Sequence, residues 1–312
     1  MSESEIFEQL FNRAADVSTV IHIPVKLFAM YIVFRHSPKN MDALPIFILN
    51  VMFWNLMANV LTGVQHINPQ FPVNCFRADG PIRVVSENQY VFHVLFGGIF
   101  TCILNCALAL SFAFPYRYFI FAHPGLVKKV KRKWGVSFCI ALHMIICLSF
   151  TFSYKRAIID VDDIKDQLPP SNALFCFRPY GWRFPIVTMI AVTVITVFSF
   201  LLRRSLRKVS DISSKQTLEL HRKFLLYLLV ATAVPLFFGG LPLTTCNFCA
   251  LYPQTTHCRE ATMVSILVLA NHGTVYSIVS IVTFKPYYDI ARKIIRDAFG
   301  KLTNCVQIFA IN

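Results

Sequence analysis

The sequence predicts an all-α membrane protein: seven transmembrane helices in a bundle, followed by an amphipathic helix lying at the membrane interface. Three observations lead there. The 312 residues are 55% hydrophobic and only 15% charged, with 30 phenylalanines and a mean hydropathy of +0.55, more apolar residue than one soluble core uses. Apolar stretches of membrane-crossing length recur along the chain, near 17–34, 43–64, 90–113, 134–154, 183–202, 223–244 and 261–284. The basic residues between them are unevenly divided, 20 of the 30 Lys and Arg falling on one side.

The elements follow in chain order. Residues 1–16, MSESEIFEQLFNRAAD, are acidic and lack the basic start and small-residue cleavage site of a secretory signal. The first span is therefore expected to act as its own insertion signal, with 1–16 as an extracellular N-terminus. Residues 17–284 form the seven-span domain, and an odd number of spans leaves 285–312 in the cytoplasm. The 20-rich side comprises 35–39, 117–133, 203–223 and 285–301. By the positive-inside rule it is cytosolic. Nine Lys and Arg lie on the other side, and Lys26 lies inside the first span. Eleven of the 16 acidic residues are outside, which leaves a basic inner face suited to anionic membrane lipid and acidic protein partners. The net charge of +14 needs no nucleic acid to account for it.

Proline punctuates the connections, but Pro24, Pro45, Pro185, Pro235 and Pro242 fall within or near spans, where each frees a carbonyl one turn back. Pro235 and Pro242, with Gly239 and Gly240 between them, make the sixth span the candidate moving element. After the last span Pro286 restarts a helix whose Tyr287, Ile290, Ile294 and Ala298 share one face, with Arg292, Lys293 and Arg296 near the other. Cys305 follows it as a candidate lipidation site.

Polar residues in lipid are costly and usually face the bundle interior or a wet cavity. Lys26 has no acidic partner in any span, so its charge must be met by a ligand carboxylate, by backbone carbonyls or by snorkelling. With His22 one turn away, Asn55 and Asn59 in the second span, His93 in the third and His272 in the seventh, it outlines a candidate ligand-binding pocket that Trp182 and Phe177 would cap. Each of these is also a candidate for interhelical hydrogen bonding. Cys75 and Cys176 face the oxidising side, and a bridge between them would pin the loop 155–182 over the bundle mouth. Cys249 and Cys258 also face outward, with Cys246 at the border, and these three could close a second bridge. No metal site is expected: the Cys-Asn-Phe-Cys run lacks further ligands.

Three segments carry a family resemblance: IHIPVKLFAMYIVFRHSPKNM at 21–41, LELHRKFLLYLLVATAVPLFFGGLP at 218–242 and GTVYSIVSIVTFKPYYDIARKII at 273–295. In their order and spacing the chain resembles the nematode serpentine chemoreceptors of the Str superfamily, classes H and I. The resemblance implies a rhodopsin-like bundle in the cilia of chemosensory neurons that detects a small environmental or pheromone-like molecule and signals through a heterotrimeric G protein. Arg203, Arg204, Arg207, Lys208, Arg222 and Lys223, flanking the fifth and sixth helices, and Arg117 are the candidate G-protein-facing residues. The sequence departs from the mammalian receptor pattern at Phe114, Pro115, Tyr116 and Arg117, where no acid precedes the arginine.

Rival readings are a transporter, which would show two related halves, and a non-signalling membrane protein. An enzyme is not expected: the nine histidines are scattered, with no His-x-x-x-His pair in a span. No cofactor is expected either.

Overall fold

The structure is a computed structural model and describes residues 3–38, 43–123, 125, 132–167, 173–178, 197, 200–201, 204, 226–227, 229–230 and 232–311. Among the described residues six helices are long and apolar enough to cross a membrane. The fifth expected span, 183–202, lies almost wholly outside them.

Helix α1 runs Glu3–His36 without a break, through Pro24. Its 34 residues make about 50 Å of helix, well beyond a hydrocarbon core of about 30 Å, so residues 3–16 continue the first helix rather than forming a separate tail. Helix α2, Leu44–Gln65, carries Pro45 in its first turn, where the missing N–H has no partner to lose, so the freed carbonyl expected there does not arise. It ends at His66, whose left-handed backbone (φ 39°) lets its N–H return to the Thr62 carbonyl.

Next come strands β1 (Ile67–Pro69) and β2 (Cys75–Ala78), the single turn α3 (Ile82–Val85) and helix α4 (Gln89–Ala122). The Asn88 side chain caps α4 by accepting from the Tyr90 N–H. This helix passes through Pro115 and ends nine residues after the expected 113. Helix α5 (Arg132–Ala157) leads into β3 (Ile158–Ile159), a 3-10 segment (Val161–Gln167) and β4 (Leu174–Phe177). The all-α expectation therefore needs one amendment, an antiparallel sheet of order β1-β2-β4-β3 at the end of the bundle. Cys75 stands opposite Cys176 in its register, and the two form a disulfide.

The sixth membrane segment contains a π-helical stretch, Leu236–Gly240, directly after Pro235, and continues as α6 (Leu241–Leu251). Its apolar run ends at Leu251, seven residues beyond the expected 244, because Thr245 to Leu251 extend the helix instead of forming a loop. This corrects the placement of Cys246 and Cys249: both lie in α6, with Cys249 buried, and Cys258 is buried at the start of α7. All three are free thiols, so no second bridge is formed. Helix α7 is Cys258–Thr283. Phe284 is extended, and α8 begins at Lys285 and runs to Ile311.

Helices α1, α2, α4 and α7 supply the bundle centre, while α5 turns Trp134, Phe138, Leu148 and Phe152 outward, as a lipid-facing helix does. Two apolar clusters result. One joins Ile32, Leu44, Ile48, Phe114, Tyr227 and Phe284 at the α1–α2 turn end. The other joins Phe92, Phe96, Phe150 and Tyr154 to Phe76, Phe175 and Phe177 of the sheet. Because lipid is as apolar as these side chains, close packing and interhelical hydrogen bonds hold the bundle together, rather than transfer out of water.

Candidate functional site

The polar residues of α1, α2 and α7 meet around one buried amine. Lys26 is fully buried. Its Nζ donates to Asn59 Oδ1 at 2.5 Å and to the Asn55 carbonyl at 3.2 Å. Asn55 donates to the Val51 carbonyl and the Cys106 sulfur, and Asn59 donates to the Ala270 carbonyl of α7 at 2.9 Å. Four helices are thereby joined through side chains that the sequence makes polar at helical spacing, Asn55 and Asn59 lying one turn apart on α2. The approach is close: a Cβ on Gly273 would stand 2.6 Å from Asn55 Oδ1 and 2.7 Å from Lys26 Nζ, so only glycine fits there.

Beside this node, towards the sheet, lies a cavity of about 80 Å³ between α2, α4, α6 and α7. Its walls are largely apolar, with Phe76, Phe96, Ile99, Phe100 and Ile103 on one side and Ile266 and Leu269 on the other. Asn59, Thr62, Asn247, Thr262 and His272 are the polar side chains that reach it. His272 Nδ1 contacts the Leu269 carbonyl. A carbonyl only accepts, so Nδ1 carries the hydrogen and, in the neutral ring, Nε2 is left as an acceptor.

Of the eight residues expected to form or cap a pocket, the structure brings Asn59 and His272 into this cavity and places Lys26 behind Asn59. His22 is buried beside Lys26 with Asn271 next to it. Asn55 serves the node. His93 is buried in a separate aromatic nest, its Nδ1 3.3 Å from the Tyr154 hydroxyl and its ring edge-on to Phe175 and Phe177. Phe177 packs there with β4, not over the cavity. Trp182, Arg203, Arg207, Lys208, Arg222 and Lys223 lie outside the described residues. Arg204 is exposed. Arg117 sits in α4 and Cys305 in α8, with their side chains outside what is described.

A polar clamp holds the sheet end. Arg77 of β2 pairs with Glu8 of α1 and with Asp79, each at 2.6 Å, and Arg259 of α7 also binds Glu8. Asn68 of β1 joins them by donating to Asp79 at 3.0 Å. The N-terminal turns of α1 are thus fastened to the sheet and to α7. His66 lies 3.4 Å from Asp16; burial nevertheless depresses its pKa, outweighing the two nearby aspartates.

The opposite end is closed by aromatics. Tyr227, of the sixth segment, shares a hydrogen bond with Ser280 of α7 at 3.1 Å and packs on Phe284 at 4.3 Å between ring centres. Tyr287 of α8 reaches Ser37 at 2.7 Å. Among the described residues no group of three or more His, Cys, Asp or Glu side chains is placed to hold a metal ion.

Sequence reasoning did not single out the cavity's own walls. Phe96, Ile99, Phe100 and Ile103 recur at helical spacing, but an apolar stripe in a membrane helix reads the same whether it faces lipid, a neighbouring helix or a cavity. Gly273 and Thr262 carried no sequence signal. The family model for the serpentine type 7TM GPCR chemoreceptor Srh matches residues 8–297. No curated protein matches the chain.

Proposed function

Because the chain belongs to the Srh family of serpentine type seven-transmembrane G-protein-coupled chemoreceptors, we propose that it binds a small-molecule ligand in the cavity between α2, α4, α6 and α7 and signals to a heterotrimeric G protein from the opposite end. It is an integral multi-pass membrane protein. The observation that carries the ligand reading is the cavity itself. It lies among four helices, beneath a sheet tied down by the Cys75–Cys176 bridge, and is mostly apolar with a few convergent polar groups.

In this reading the N-terminus and the sheet are extracellular and the basic connections are cytosolic. Residues 17–284 are the receptor domain, and α8 rests on the inner leaflet, where Cys305 would take a palmitate. By family, the receptor resides in the cilia of chemosensory neurons. Its partners are the ligand, membrane lipid and the G protein.

Signalling is a shift in population between two packings of the sixth segment. The cavity meets this segment from Leu243 onward, about one turn past its weakest stretch: Pro235 lacks an N–H, Leu236–Gly240 is π-helical, and His272, which lines the cavity, has Cδ2 3.9 Å from where a Cβ on Gly239 would stand. Ligand that presses on this junction favours release of Tyr227 from Ser280 and Phe284, which opens a crevice lined by the basic ends of the fifth and sixth helices. Arg203, Arg204, Arg207, Lys208, Arg222, Lys223 and Arg117 then face the G protein.

The test is second-messenger output in cells that carry the receptor at their surface, challenged with pooled odorants and secreted metabolites. The expected result is a response that disappears when Arg203, Arg204 and Lys223 are reversed to glutamate at equal surface expression. No response to any pool, together with no binding of any Gα subunit, would overturn it.

A further inference from the structure

The cavity's lining also says what kind of molecule fits. We propose that it takes a neutral, elongated, predominantly apolar molecule with one uncharged oxygen at its end, seated on the Thr262 hydroxyl. The inference rests on the cavity being the ligand site, and adds the chemical class.

Length comes from the helices. The lining residues run from Phe96 to Ile103 on α4 and from Leu243 to Ala250 on α6, seven rises each, about 10 Å of helix at about 1.5 Å per residue. A short alkyl chain fits that length, and a compact polar metabolite would leave it part empty. Charge is excluded next: among the described residues no Asp, Glu, Lys or Arg lines the cavity. The nearest buried amine, Lys26, is turned away, its Nζ held by Asn59 Oδ1 and the Asn55 carbonyl. A carboxylate or ammonium entering here would leave water with no counter-charge to meet.

The remaining polar groups bear on where one oxygen goes: His272 presents only an acceptor nitrogen and Asn247 is only partly buried, which leaves three side chains to compare. Asn59 already donates to Ala270 and accepts from Lys26, and Thr62 donates to the Ala58 carbonyl. Thr262 differs: it is 2% exposed, and among the described residues the one partner within reach of its hydroxyl is the Cys249 thiol, a weak acceptor. A buried hydroxyl facing only a thiol is poorly satisfied, and a ligand oxygen is the stronger acceptor for it. It lies in the first turn of α7, beside the sheet end, so the ligand's oxygen points to that end and its chain towards Leu269 and His272.

The test uses the purified full-length receptor in lipid nanodiscs and five eight-carbon probes: octanol, octanal, octane, octanoate and octylammonium. Thermal unfolding is followed for the native receptor, for a cavity-filling Ala250→Phe variant, and for Thr262→Val and Thr262→Ser. Octanol and octanal should raise the melting temperature of the native receptor and not of Ala250→Phe, while octanoate and octylammonium do neither. Thr262→Val should raise the half-saturating octanol concentration about tenfold, the worth of one hydrogen bond, and Thr262→Ser should restore it. Octane should be indifferent to Thr262. A charged probe that stabilises the native receptor but not Ala250→Phe would overturn the chemical class and leave the cavity as the ligand site. If no probe distinguishes the native receptor from Ala250→Phe, both readings fall.

Discussion

The ammonium of Lys26 donates to the side-chain oxygen of Asn59 at 2.5 Å, and among the described residues no acidic side chain shares that contact. Each partner is satisfied by the other, and removing either leaves a buried polar atom unpaired. Lys26→Met and Asn59→Leu should each lower stability by about 1 kcal/mol, since membrane hydrogen bonds are worth this much or less. The double variant should lose less than the two together. Thermal unfolding of all four receptors in one detergent measures the coupling, and strict additivity would show that the contact contributes nothing.

Gly273 lies against the same node. A methyl group there would meet both Asn55 Oδ1 and Lys26 Nζ inside 3 Å. Gly273→Ala should therefore destabilise the receptor by about 1–3 kcal/mol, the usual cost of overpacking. Surface expression and melting temperature should both fall, and Gly273→Ala with Lys26→Met should recover part of the loss. Normal stability in the single variant would mean that α1 and α7 are less closely apposed.

The Cys75–Cys176 bridge closes a segment with a sequence separation of 101. In the chain-entropy picture a closure of that size stabilises by about 4 kcal/mol, more than most single contacts. Cys75→Ser should reduce surface expression severely, and Cys75→Ser with Cys176→Ser should do no worse than either single change. Flow cytometry on intact cells reads the outcome. Wild-type surface levels in Cys75→Ser would show that pairing of β2 with β4 holds without the bridge.

His66 connects stability to pH. Burial lowers its folded pKa below the ordinary 6.5, so on acidification the unfolded chain takes up its proton first. The contribution of His66 is complete above pH 6.5 and is lost progressively below it. The native receptor's melting temperature should fall more steeply between about pH 6.5 and 5 than that of His66→Asn. Asparagine tolerates the left-handed backbone that closes α2, which isolates the titration. Parallel profiles for the two receptors would remove His66 as a source of acid sensitivity.

How much could be read from sequence differs by element. Hydropathy located the described spans because lipid imposes length and apolarity residue by residue, independently of packing. The restart of the helix at Lys285 was legible in Pro286 and the amphipathic spacing after it. The sheet was not. Its strands are two to four residues long and contain Pro69 and Cys75, and the central pairing joins β2 to β4 across a sequence separation of 101, so little local marks them. The first helix's extension to Glu3 was hidden for a similar reason, because the clamp of Glu8 with Arg77 and Arg259 joins three distant parts of the chain.

By itself, then, the sequence determined a multi-pass bundle, its asymmetric distribution of charge and the presence of a costly lysine in the first span. Those properties follow from the free energy of moving each residue type between water and lipid, which depends on local composition. Only the tertiary structure decided that Lys26 is answered by Asn59 and Asn55, that Asn59 and His272 share a cavity while His93 does not, and that the Thr262 hydroxyl reaches the cavity with only the Cys249 thiol beside it. Pairings of that kind depend on which helix faces which, and apolar helices in lipid present no sequence difference between a face that meets lipid and one that meets a neighbour.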